Sequence, residues 1–264
     1  MTVATEQPRT ESASTHIKWG GHNRKLGPGI HSYSTPAVDT CPGRTPLCSR
    51  ACYALKGYFV FAARLAAQRA ARAAADSPRF AGLICRAIAA SGVRVLRVHV
   101  SGDFDTVAYT RAWGRVAARC PQTAFFAYTR SWRVPALLPA LLELAALPNF
   151  QLIWSEDRDT GPSPRVPGVL TAFLVADVGD EALLDPARHD LAFRDHAHRK
   201  VTLGRAPRKW LGGVWVCPAE QWPVRVQRAD GRALPHVTCT KCRYCFARVA
   251  DGKARAMPSP TPPG

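Results

Sequence analysis

The chain has no run of about eighteen uncharged apolar residues, the least that crosses a bilayer as a helix, so no membrane-spanning helix and no membrane partner is expected. The opening stretch MTVATEQPRTESAST lacks the apolar centre of a secretory signal, which leads to the expectation of a cytoplasmic protein. No G-x-G-x-x-G follows a strand-like run and no G-x4-G-K-[ST] occurs, which sets aside dinucleotide and P-loop binding. Acidic residues are scarce: 19 Asp plus Glu face 36 Lys plus Arg, a formal charge of +17 over 264 residues. That excess favours an anionic partner, nucleic acid among them. The arginines are nevertheless spread among alanines, as in AARLAAQRAARAAADS, with no focused basic run and no basic stripe interleaved with aromatics.

Cysteine is what the chain has in plenty. Nine is an odd number, which a fully paired disulfide framework could not use up, and in a reducing compartment clustered thiols bind metal or do chemistry. Cys217, Cys239, Cys242 and Cys245 read C-x21-C-x2-C-x2-C; four thiolates complete a tetrahedral zinc site or hold an iron–sulfur cluster, and the tight run favours the cluster while zinc stays open. Cys41, Cys48 and Cys52 read C-x6-C-x3-C with no fourth cysteine nearby. Either Asp39 or His31 completes a closed site, or the trio holds a four-iron cluster with one iron open to a substrate or cofactor, as a catalytic metal requires. Cys85 and Cys120 stand alone and read as small core residues. His189, His196 and His198 lack helical metal-pair spacing and read as surface histidines in an irregular stretch from 184 to 208.

The middle of the chain alternates strands and helices. The strands are VRVLRVHV, TAFFAY, FQLIW and VLTAFLVA, apolar nearly throughout, as in parallel sheets covered on both faces. A long helix is expected from about Ser49 to Ala75 with Cys52 near its start, a second after Ser77-Pro78, a third through Tyr109, Trp113 and Val116, and a fourth interrupted or kinked at Pro139. Parallel α/β folds bind ligands beyond the carboxyl ends of their strands. The polar residues there are His99, Ser101, Gly102 and Asp103, then Tyr128, Thr129, Arg130 and Ser131, then Ser155, Asp157 and Arg158, then Asp177. As a set they read as a site; singly they read as turn and cap residues.

KLG…TCPGRTPLCSRACYA, VHVSGDF, FAYTRSW, SEDRD and C…CTKCRYC together resemble the phage and actinobacterial gene-product-88 family, over roughly residues 23–248. More distantly, the cysteine trio ahead of βα units resembles radical SAM enzymes, although the C-x6-C-x3-C spacing departs from their C-x3-C-x2-C. That second resemblance implies a partial parallel (βα) barrel, a [4Fe-4S] cluster whose open iron binds S-adenosylmethionine, a second, auxiliary cluster, a ferredoxin- or flavodoxin-like electron donor and a small-molecule or peptide substrate. It implies that His99, Ser101, Gly102, Asp103, Thr129, Arg130 and Ser155 bind the cofactor, with Asp103, Tyr128, Arg130 and Asp157 catalytic. The expected layout is a disordered leader at 1–22, a (βα) core at 23–210, a Cys-rich metal-binding extension at 211–250 and a disordered tail at 251–264. The competing reading is a zinc-stapled nucleic-acid-binding protein with Lys241, Arg243 and Arg248 near phosphates.

Overall fold

The computed structural model describes residues 19–20, 23–195, 210–221 and 237–251. Six strands, β1 (Ile30–Tyr33), β2 (Val95–Val98), β3 (Ala124–Thr129), β4 (Phe150–Glu156), β5 (Leu170–Val175) and β6 (Leu191–Arg194), form one sheet in sequential order. Every neighbouring pair is parallel. The sheet curls into a half-barrel. Parallel neighbours need long crossovers, and helices α2 (Ala62–Ala75), α3 (Phe80–Ser91), α4 (Val107–Arg119) and α5 (Leu138–Ala145) lie in them.

Alternation along each strand sends side chains to two different cores. Leu96, Val98, Phe125, Ala127, Phe150, Leu152 and Trp154 face outward and pack with Phe80, Ile84, Tyr109, Trp113 and Leu141 from the helices. Ile30, Phe126, Ile153, Ala172 and Leu191 face inward and pack with Leu26, Cys217, Ala219 and Phe246. Burial on both sides is why these strands read as unbroken apolar runs.

The cysteine-rich extension lies against the concave face. Its pieces are a hairpin, β7 (Trp210–Leu211) and β8 (Val214–Trp215), and two short helices, α6 (Cys239–Cys242) and α7 (Ala247–Asp251). Cys217 N–H donates to Ala192 O, while Cys239 N–H and Thr240 N–H donate to Lys25 O and Leu26 O ahead of β1. Arg248 Nε donates to Gln151 Oε1 near the start of β4 at 2.7 Å. These anchors place the extension at the amino-terminal half of the inner face.

Three expectations need correction. The helix from Ser49 to Ala75 is broken: α1 (Pro46–Ala51) ends at Cys52, whose extended backbone (ψ 113°) stops it, and two 3-10 turns with Gly57 at φ 58° precede α2. Pro139 does not kink its helix. It sits in the first turn of α5, where its missing N–H leaves no bond unmade. The stretch after 184 is not wholly irregular, because β6 forms there. The expected leader, apart from Trp19 and Gly20, and the tail from 252 lie outside the described residues.

Candidate functional site

The cysteine trio occupies the loop after β1 and the helix that follows. The loop is bolted to the carboxyl ends of β2, β3 and β4. Thr35 N–H donates to Ser101 O, and Asp103 N–H donates to Thr40 O. Ser101 Oγ donates to Thr35 O at 3.0 Å. Two glycines permit this closeness: a Cβ at Gly102 (φ 82°) would lie 1.9 Å from Thr35 Oγ1, and one at Gly43 2.0 Å from Arg130 O.

Helix α1 is fixed by its cap. Thr45 Oγ1 accepts from Cys48 N–H at 2.9 Å and donates to the buried Asp157 Oδ2 at 2.8 Å. Leu47 N–H donates to Asp159 Oδ2 at 3.1 Å. Arg130 reaches the same carboxylate, with Nη2 3.1 Å from Asp157 Oδ2, and its Nη1 donates to Cys48 Sγ at 3.3 Å. Its own N–H donates to Asp103 Oδ2 at 2.9 Å, while Phe104 N–H donates to Asp103 Oδ1 at 2.7 Å.

Asp103, Arg130 and Asp157 therefore meet at the trio, and each spends bonds on holding the cysteine loop. Burial pushes Asp103 up to about 6, although hydrogen bonds from Thr129, Arg130 and Phe104 pull it down. Burial, the Asp103 charge and the Cys48 and Cys52 thiols push the free Cys41 thiol up to about 12; a backbone bond at Val38 pulls against them. Cys48 is also raised by burial, against the pull of Arg130. Thr129 is buried and accepts from Ser131 N–H. Ser155 is partly exposed and, by alternation from Ile153, shares the inner face. Arg158 pairs with Asp177 and Asp180, and Asp177 lies 4.0 Å from Arg50 on α1.

Two predicted residues lie elsewhere. His99, at φ 65°, turns outward, its Nε2 2.8 Å from the Tyr109 hydroxyl and its ring against Phe104. Burial, then Arg97, lowers it to about 3, so it is neutral and part of the outer core. Tyr128 belongs with the second cysteine group: its hydroxyl shares a 2.8 Å hydrogen bond with Cys245 Sγ. Cys217, Cys239, Cys242 and Cys245 line one small, tight cleft beside Leu191, Trp215 and Tyr244. Burial and the Cys217 and Cys239 thiols raise Cys245 well above the usual thiol range.

Cys85 and Cys120 touch in the helix layer, Sγ to Sγ at 3.0 Å. His189 is a correction. It is buried, not a surface residue, with Nε2 3.1 Å from Glu156 Oε2. Arg188 pairs with the same carboxylate. Burial alone would raise Glu156, but hydrogen bonds from His189, Arg188 and Ser163 hold it well below the usual carboxylate range. His196 and His198 lie outside the described residues. Sequence reasoning missed Thr45, Asp159, Glu156 and Arg97; of these only Thr45 carried a signal, as the Thr-Pro that opens a helix.

Among the described residues, no three His, Cys, Asp or Glu side chains converge closely enough to share a single metal ion. No helix there is long and apolar enough to cross a membrane.

The fold and site define an α/β protein with a six-stranded parallel half-barrel and a cysteine loop clasped over its strand ends. A family model described as gene product 88 matches residues 3–248, and the chain belongs to that family. No curated protein and no solved structure matches it.

Proposed function

We propose that this chain is an iron–sulfur enzyme. In this reading Cys41, Cys48 and Cys52 hold a [4Fe-4S] cluster whose fourth iron takes no protein donor and binds S-adenosylmethionine; Cys217, Cys239, Cys242 and Cys245 hold an auxiliary cluster. The observation that carries it is the trio's position, on the loop after β1 and over the carboxyl ends of β2 to β4, where parallel α/β folds place ligands. A partial barrel whose βα units follow a cysteine trio is the arrangement the likeness to radical SAM enzymes implies. His31 packs 6.5 Å from Trp19 on the outer side of β1 and Asp39 is exposed, so neither gathers with the trio as a fourth ligand.

When bound, the cluster and its cofactor supply electron transfer and a reactive sulfonium. The chain supplies placement. Arg130 stabilises the Cys48 thiolate and carries a buried Nε without a partner, a donor for a carboxylate. Ser155 is left for ribose hydroxyls or substrate. Asp103 and Asp157 hold the loop in register. The nucleic-acid reading loses two of its three basic groups, since Arg248 is spent on Gln151 and Arg243 lies over the Phe246 ring.

The test is S-adenosylmethionine added to anaerobically purified protein, followed by equilibrium dialysis and visible absorption. Binding should be saturable and should vanish when Cys41, Cys48 and Cys52 are all changed to alanine. Undiminished binding in that variant contradicts the proposal.

A further inference from the structure

Arg97 lies on β2, two residues before His99, and by alternation its side chain faces the concave side of the sheet. Near it lie Tyr53, which follows Cys52 and whose hydroxyl donates to Val100 O, and Tyr128, Cys239 and Cys245 of the second cysteine group. The guanidinium carbon sits 5.2 Å from the centre of the Tyr128 ring. Among the described residues no carboxylate pairs with it and none of its five N–H donors makes a hydrogen bond; Nε is sealed from solvent without an acceptor.

A sealed Nε without an acceptor is costly, because a buried donor loses water and gains nothing in return. A ring face answers part of the charge. Thiolates nearby could answer more of it, but no sulfur reaches its N–H groups as Cys48 reaches those of Arg130. What remains is a planar fork of donors aimed into the half-barrel, the geometry that grips carboxylate and phosphate oxygens in pairs.

We propose that Arg97 anchors an oxyanion, a carboxylate or a phosphate, of the molecule that works inside the half-barrel. The anchor deepens the enzymatic reading by giving the substrate a chemical class, and it rests on that reading for the substrate's position on the inner face.

The test is thermal unfolding of the full chain, purified anaerobically, with chloride replaced at fixed ionic strength by inorganic phosphate or by acetate. In the wild type, at least one anion should raise the unfolding midpoint along a saturating curve, and which one does so separates the two chemistries. Arg97→Gln should lose at least nine-tenths of the rise, Arg97→Lys should keep part of it, and Arg111→Gln, at the exposed Arg111–Glu143 pair, should keep all of it. Equal rises in wild type and Arg97→Gln overturn the anchor, as does the lack of any saturating rise. A rise seen only after metal is stripped also overturns it, since the thiolates are then the counter-charge. Iron is assayed on the same samples. An Arg97-dependent rise in iron-free protein leaves the anchor standing and removes the iron–sulfur reading; iron with no such rise does the reverse.

Discussion

His99 sits at φ 65°, a backbone conformation that Asn tolerates better than most side chains, with its ring enclosed by Phe104 and Tyr109. Its folded pKa is lowered, so the unfolded chain takes up a proton more readily below about pH 6.5, the ordinary histidine value. Stability from this group is present above that pH and lost as pH falls towards about 3, with a slope approaching about 1.4 kcal/mol per unit. Asp103, raised to about 6, works the other way between about pH 6 and 4, so the readout is the difference between wild type and a variant. His99→Asn should lose about 2 kcal/mol of stability at pH 7 from lost packing, and its urea midpoints should fall less steeply on acidification. Equal slopes in the two proteins would mean that His99 is charged in the native state. The sequence placed His99 beside a ligand because it follows a strand. Its left-handed backbone, which turns the ring to the other face, leaves no mark in the residue order.

Helix α1 is six residues long, too short to hold itself, and its N-cap carries much of its order. Thr45 joins that cap to Asp157, 112 residues away, and so fixes the direction in which Cys48 leaves the loop. Thr45→Ala should lower stability by about 2 kcal/mol in urea unfolding, the cap plus a buried hydrogen bond, and reduce metal retention. Thr45→Ser, which keeps the hydroxyl, should restore most of both; failure to restore either would place the effect in packing. Strands β2 to β5 were legible because burial on both faces writes them as apolar runs. β6 was not, for it is four residues long, ends in Arg194 and lies between Asp190 and Asp195. The break at Cys52 was hidden among good helix formers. The burial of His189 depends on Glu156, a partner 33 residues away at the end of β4.

At the scale of the molecule, one curled six-stranded sheet carries both cysteine groups, the trio over its carboxyl ends and the foursome, beside the small β7–β8 hairpin, packed on its inner face. Spacing alone sorted the seven cysteines, since ligands to one centre cluster in sequence. It carried no information on where the foursome docks, because that is set by contacts such as Tyr128 to Cys245, 117 residues apart. Arg97 stayed invisible as one arginine in an apolar strand. The account turns on both groups being iron–sulfur ligands. Iron and acid-labile sulfide counted per chain after anaerobic purification test this most directly. The expected result is about eight of each in the wild type and about four when Cys41, Cys48 and Cys52 are replaced together by alanine. One zinc with no iron, or an iron count that this triple replacement leaves unchanged, would contradict it.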